Sequence, residues 1–281
     1  MVKEIWVSEI ADRVAQALLE INIRSDDLLR QKMLDALVRE ESEAGKEMLT
    51  QILENYVVAE ERRLPLCQDT GMVMAEVRLG NEVCIRGGSL RKALDEGIRV
   101  AYREGYFRKS VISDPFFGKN TQDNTPGVYF FTLEEGDTLE IDLLVKGGGC
   151  DNITTFGMLE PGSTPDDVER FLLRELDRKA SLACPPLIVG VGIGGNAAYA
   201  LFLASRALCR PLGSLHPDPR YRELEQKWCA DINRLGIGPQ GVGGRVTCLE
   251  VRIETYPCHI ASFPVGIVCS CHVFRRKTLR W

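Results

Sequence analysis

The sequence predicts an α/β protein, a mixed sheet of α+β character behind a helical N-terminal segment. Three observations predict it. Apolar residues recur at helical spacing through residues 1–62. Beyond Pro65, short apolar or β-branched runs alternate with helix-period stretches, and Gly and Pro punctuate the joins. The chain has 281 residues, 44% of them hydrophobic, which suffices for one large core or two modest ones. We expect a helical segment over 1–62 and an α/β body over 63–281, together forming one domain.

Ser25-Asp26-Asp27 starts a helix with acids in its first turn, and Leu28, Leu29, Met33, Leu34 and Leu37 continue it. Met48, Ile52, Leu53 and Val57 carry the same period into a further helix. Residues 72–79 read as a strand and 90–106 as a helix. Residues 128–132 and 139–145 read as strands separated by Glu135-Gly136-Asp137. Thr164 caps a helix over 165–182, with Pro165 at its first position. A buried strand over 187–191, helices over 197–208 and 219–235, and a last strand over 247–254 complete the reading.

Composition excludes several classes. The net charge is -5, and the only basic run is the Arg275 to Arg280 tail, so we expect no nucleic-acid partner. No apolar stretch approaches the roughly 20 residues that span a membrane. The N-terminus has no signal-peptide core, so a cytoplasmic location is expected. Ten cysteines in a reducing compartment then read as thiols or metal ligands. Cys84, Cys209, Cys229 and Cys248 fit small buried hydrophobes.

Three cysteines stand apart. Cys67 lies in Leu64-Pro65-Leu66-Cys67-Gln68-Asp69-Thr70-Gly71, Cys184 in Ala183-Cys184-Pro185-Pro186, and Cys271 in Cys269-Ser270-Cys271-His272. Each sits among Gly, Pro or short polar residues. Three thiolates are one fewer than a closed four-thiolate site needs, and a cluster iron without a protein ligand can act as a Lewis acid.

Other segments are built for ligands or for turns. Lys146-Gly147-Gly148-Gly149 follows a strand and offers backbone N–H groups to an anion. Gly190-Val191-Gly192-Ile193-Gly194-Gly195 matches a dinucleotide fingerprint, but no second strand ending in an acid follows at the required distance. Cys258, His259, Cys269, Cys271 and His272 admit a zinc reading, although their spacing fits neither common zinc pattern. Asp69 is either a solvated loop residue or an orienting carboxylate. Arg108 is either a charge closing a helix or a carboxylate clamp. His259 is either a structural residue or an acid–base group.

At these residues the chain resembles the class I, iron–sulfur fumarate hydratases and L-tartrate dehydratases, in particular the separate alpha subunit of their two-subunit members. The resemblance spans nearly the whole chain. It is carried by 66–71, 105–110, Asp123-Asn124-Thr125-Pro126, 146–149, Cys184-Pro185-Pro186 with 189–195, 235–241 and His259-Ile260-Ala261-Ser262. It implies a [4Fe–4S] cluster on Cys67, Cys184 and Cys271. It implies substrate contacts from Gln68, Asp69, Arg108 and the backbone near Gly149, and catalytic roles for His259 and Asp69. The implied reaction is reversible hydration of fumarate to malate, with L-tartrate dehydration as the alternative. Cys150 stands where many fumarases have Ser and leans toward the tartrate enzymes, and Cys269 is an additional thiol beside the ligand position.

The resemblance also implies a partner, because further cationic substrate ligands and a base belong to a second module. We therefore expect a beta subunit, an alpha2beta2 heterotetramer and a small dicarboxylate substrate. The competing class is a non-catalytic metal- or dinucleotide-binding protein.

Overall fold

The computed structural model describes residues 2–281, and the chain divides into two compact units. The first holds the chain up to Ser25, Tyr56–Gly148 and Arg275–Trp281, and the second holds Asp26–Asn55 and Gly149–Phe274. The expected α/β class is observed: mixed sheets with N-terminal helices. The segment read as helical contributes to both units.

In the first unit, β1 (Lys3–Trp6) leads into helix α1 (Val7–Ile23). β2 (Met72–Gly80), β4 (Val128–Glu134), β5 (Leu139–Lys146) and β10 (Arg275–Arg280) form a sheet in the order β10-β5-β2-β4. β5 runs antiparallel to both β10 and β2, and β4 runs parallel to β2. Alternate residues Val73, Ala75 and Val77 are buried in one core with Ile10, Val14 and Leu18 of α1 and Leu94 and Ile98 of α4 (Leu90–Glu104). Each large side chain buried there contributes roughly 1.5–3 kcal/mol. The two helices approach closely because α4 carries Gly97, where a Cβ would lie 2.7 Å from Val14. β1 also pairs in parallel with β3 (Val83–Arg86).

The second unit starts with α2 (Asp27–Arg39). The Asp26 carboxylate caps it, accepting from the Leu28 and Leu29 N–H groups at 2.8 and 3.3 Å. α3 (Glu43–Arg62) begins here and ends in the first unit. After α5 (Gly148–Asn152) come β6 (Thr155–Leu159), α6 (Pro165–Lys179), β7 (Leu187–Gly195) and α7 (Ala197–Cys209). Next follow α8 (Pro219–Arg234), β8 (Cys248–Cys258) and β9 (Phe263–Ser270). The sheet order is β6-β9-β7-β8, with β8 parallel to β7 and β9 antiparallel to β7 and β6. Thr164 and Asp167 form the capping box that starts α6.

Glu40 fastens the corner between α2 and α3 to the approach to β8. Its carboxylate accepts from the backbone N–H groups of Glu41, Ser42, Arg245 and Val246 at 2.9 to 3.0 Å. Burial pushes its pKa up, but those four donors outweigh burial and hold it below the ordinary carboxylate value.

Several boundaries differ from expectation. The helix expected over 90–106 stops at Glu104, since Gly105 caps it and Tyr106 takes φ 52°. Arg108 therefore lies beyond the helix rather than closing it. The helix expected over 165–182 tightens into a 3₁₀ turn, Ala180–Ala183, after Lys179. The strand expected to be last is followed by β9 and β10, so the basic C-terminal run is an edge strand. Among the described residues, no helix is long and apolar enough to cross a membrane.

Candidate active site

In the first unit, segments far apart in sequence meet around the Cys67 loop. Leu66 N–H donates to the Asn22 carbonyl at 2.7 Å, which anchors the loop to the end of α1. The Tyr102 hydroxyl, on α4, donates to the Thr70 carbonyl at 2.5 Å. Burial raises the Tyr102 phenol well above its ordinary pKa, so it remains a protonated donor. Arg275 is buried, and its Nη1 donates to the Asp69 carbonyl and to Asn22 Oδ1, both at 3.0 Å.

Two further segments attach to the same loop. Thr70 Oγ1 donates to the Arg108 carbonyl at 2.7 Å. Asn124, fully buried at φ 61°, accepts from Ser110 N–H at 2.7 Å and donates to the Gly71 carbonyl at 3.1 Å. The preceding Asp123 accepts from Thr125 and Arg99, and these bonds hold its carboxyl below the usual range although burial pushes it up. The backbone under Arg108 is thus fixed while its guanidinium is exposed; Gln68 is exposed as well.

Asp69 joins this assembly to the glycine run. Its Oδ1 accepts from Gly71 N–H at 2.9 Å and its Oδ2 from Gly148 N–H at 2.7 Å. Gly71 takes φ +70°, and a Cβ there would stand 2.3 Å from the Lys146 carbonyl oxygen. A Cβ on Gly147 would stand 2.7 Å from Asp69 Oδ2. Only glycine permits this approach.

The second unit gathers a different set. Cys184 follows the 3₁₀ turn, takes the left-handed conformation at φ 53° and is exposed; Pro185-Pro186 comes next. Gln240 holds this turn, its N–H and Nε2 donating to the Pro185 carbonyl at 2.8 and 3.2 Å. A Cβ on Gly149 would lie 3.2 Å from the Leu182 carbonyl, and the buried Cys150 thiol lies 3.7 Å from the Ala183 carbonyl. Cys271 follows β9 and is half-buried, as is Cys67 in the first unit. Cys269 is fully buried among apolar side chains.

His259 is exposed in the turn after β8, with Nδ1 accepting from Ala261 N–H at 3.1 Å. That acceptor role leaves the neutral ring's proton on Nε2. The run from Gly190 to Gly195 lies inside β7, and its glycines are taken up by packing. A Cβ on Gly190 or Gly192 would stand 2.1 Å from the carbonyl oxygen of Ala204 or Ala200 on α7.

Sequence reasoning found the loops but missed the residues that hold them. Asn124 lay within a matching segment without a role. Arg275 was read with a basic tail. Gln240 likewise lay within a matching segment, 235–241, without a role, and Tyr102 carried no individual signal. Among the described residues, no group of three His, Cys, Asp or Glu side chains is arranged to hold a metal ion.

Comparison with known proteins identifies the family of the chain. The family described as fumarate hydratase (Fumerase) matches residues 11–280. A Methanocaldococcus jannaschii protein named "Putative L(+)-tartrate dehydratase subunit alpha" is 35% identical, over 97% of each chain. The L(+)-tartrate dehydratase subunit alpha of Escherichia coli strain UTI89 is 32% identical, over 99% of this chain and 92% of its own. The protein of the same name from strain K12 is 31% identical with the same coverage. Matched over nearly its whole length, the chain belongs to the fumarate hydratase family and is a hydro-lyase.

Proposed function

We propose that this chain is the alpha subunit of a [4Fe–4S]-dependent hydro-lyase that interconverts fumarate and malate in the cytoplasm, working with a beta subunit as an alpha2beta2 assembly. The observation that carries the reading is the assembly in the first unit. Loop 66–71, the Arg108 segment, Asn124 and the glycine turn at Gly148 are tied together by backbone-directed hydrogen bonds. Such fixing of backbone presents exposed side chains to a ligand at low reorganisation cost.

The donor chemistry fits the cluster. Cys67, Cys184 and Cys271 would hold it; all three lie at loop positions and none is fully buried, unlike Cys150, Cys209, Cys248 and Cys269, although Cys271 also packs against the core of the second unit. When bound, the cluster supplies an iron without a protein thiolate, which polarises the substrate hydroxyl as a Lewis acid. Arg108 offers a planar fork to one substrate carboxylate. Gln68 and the backbone N–H near Gly149 add neutral donors for developing negative charge. Asp69 spends both carboxylate oxygens on Gly71 and Gly148 N–H groups, so its first task is to keep that loop and the glycine turn together. His259, with its proton on Nε2, would move a proton, a role worth typically ~10²–10⁴-fold. The beta subunit would supply the clamp for the second carboxylate and the base on the opposite face.

A second reading, dehydration of L(+)-tartrate, is favoured by the names of the relatives. Both readings share the machinery and differ in the substituent beside the reacting carbon. The test is anaerobic co-expression with the beta-type chain, cluster reconstitution, and assay on fumarate, malate and L(+)-tartrate. Turnover of fumarate and malate supports the first reading, and turnover of tartrate alone supports the second. An iron-loaded complex inactive on all three overturns both.

A further inference from the structure

Two arginines are fully buried among the described residues, Arg252 in the second unit and Arg275 in the first, at 1% and 2% exposure. A guanidinium stays charged when buried, so each calls for an anion close by. Arg252 has one. Its Nε and Nη2 donate to the Glu250 carboxylate at 2.9 and 2.7 Å, and further bonds reach the carbonyls of Leu208, Arg210 and Pro211. Among the described residues, Arg275 forms no ion pair. Its Nη1 donates to two neutral acceptors, Asn22 Oδ1 and the Asp69 carbonyl, and its Nε is buried without a partner.

The surroundings hold this cation in place without neutralising it. Pairing of Arg275 with Val145 at the start of β10 fixes the base of the side chain. Asn22 turns its Oδ1 to the guanidinium because its Nδ2 donates to the Leu18 carbonyl at 2.8 Å. The carboxylate of Asp69 is engaged elsewhere, its oxygens accepting from Gly71 and Gly148 N–H. The bond to the Asp69 carbonyl ties the guanidinium to backbone two residues after Cys67, a separation that extended chain spans in roughly 7 Å. Buried charge left without a counter-ion is costly, so this place in the fold calls for a negative group beside the Cys67 loop.

We propose that Arg275 is the buried counter-charge of the cluster, a residue outside the ligand set that offsets the net negative charge which the thiolates bring to the Cys67 loop. This rests on the cluster reading given above. Cys67, Cys184 and Cys271 as thiolates bring more negative charge than an iron–sulfur cubane carries positive charge. A fixed positive charge next to such a group stabilises it in proportion to its negative charge. Arg275 therefore favours the reduced form over the oxidised one and slows loss of iron. Net charge and hydrogen bonding around a cluster are the levers that set its potential.

The test uses the anaerobically reconstituted complex with the beta-type chain, as wild type, Arg275→Gln and Arg275→Lys, each checked for folding by circular dichroism. Arg275→Gln removes the charge and Arg275→Lys keeps it. The cluster's midpoint potential is read by electron paramagnetic resonance during a redox titration, and iron loss is timed in EDTA. Arg275→Gln is expected to titrate at a lower potential and to lose iron about tenfold faster. Arg275→Lys is expected to stay close to wild type in both. A merely structural arginine would lower Tm in both variants and leave the potential where it was. An unchanged potential in Arg275→Gln, or an equal shift in Arg275→Lys, overturns the proposal. A further arm needs no change at position 275. In Arg108→Ala labelled with nitrogen-15 arginine, the reduced cluster is expected to couple to an arginine nitrogen in electron–nuclear double resonance, and absence of that coupling also overturns the proposal. A wild-type complex that takes up no cluster overturns the cluster reading, and the counter-charge falls with it. A loaded wild type beside an unchanged Arg275→Gln overturns the counter-charge alone.

Discussion

The two glycine-rich segments 146–149 and 190–195 look alike in sequence and are used in opposite ways. At the first, the strand has ended: Gly148 N–H donates to Asp69, and Gly148 and Gly149 are exposed. At the second, the strand continues through the run, and the space of each missing Cβ at Gly190 and Gly192 is filled by a helix carbonyl. A glycine run thus means either backbone left exposed where a strand has ended or backbone closed against a helix. What a Cβ would strike separates the two. At Gly147 and Gly148 it meets an acid side chain from another motif, and at Gly190 and Gly192 it meets backbone that cannot move aside.

The most severe break of this comparison is Gly71→Ala. A left-handed φ and a 2.3 Å approach to the Lys146 carbonyl both oppose the new methyl. The expected cost is about 2–4 kcal/mol of stability, with loss of turnover in the folded fraction as well. Thermal melts and specific activity read both effects. Gly190→Ala should cost about 1–3 kcal/mol through overpacking against Ala204, yet leave turnover per folded molecule unchanged. A kcat loss in Gly190→Ala without a fall in Tm would return that segment to the site.

A second contrast lies in the acids that fasten each unit, Asp69 in the first and Glu40 in the second. Glu40 has its pKa lowered on folding, so its stabilisation is present above about 4.5, the unfolded value, and is lost as pH falls through the lower folded value. Melts taken from neutral pH downward should show Glu40→Gln less stable than wild type at neutral pH, with the gap narrowing below 4.5. A constant gap would mean the carboxylate charge contributes nothing. The smallest effect is expected for Gly148→Ala. There a Cβ would sit 3.8 Å from Asp69 Oδ2, ordinary contact distance, so stability should stay within about 0.5 kcal/mol of wild type.

Helices with clear caps were legible from sequence almost to the residue, as α7 and α8 show, because local hydrogen bonds set their ends. β9 and β10 were not. Phe263–Ser270 is nearly continuous apolar sequence without alternation, since it is buried between two neighbouring strands. Arg275–Arg280 looks like a solvated tail because its cations pair across the sheet with Glu140 and Asp142, partners more than a hundred residues away. The Cys67 loop was legible as special from its composition. The residues that hold it were not, because Asn22, Tyr102, Asn124 and Arg275 act through contacts between distant parts of the chain.

The account's central claim is that Cys67 serves an iron–sulfur hydro-lyase centre rather than a packed loop. The direct measurement is iron content together with turnover of the anaerobically prepared complex with the beta-type chain, for wild type, Cys67→Ser and Cys84→Ser. The account predicts about four irons per alpha chain in wild type and in Cys84→Ser. Both of those proteins should turn over substrate, and Cys67→Ser should lose both iron and turnover. Full turnover by Cys67→Ser, or by an iron-free wild-type complex, would contradict it.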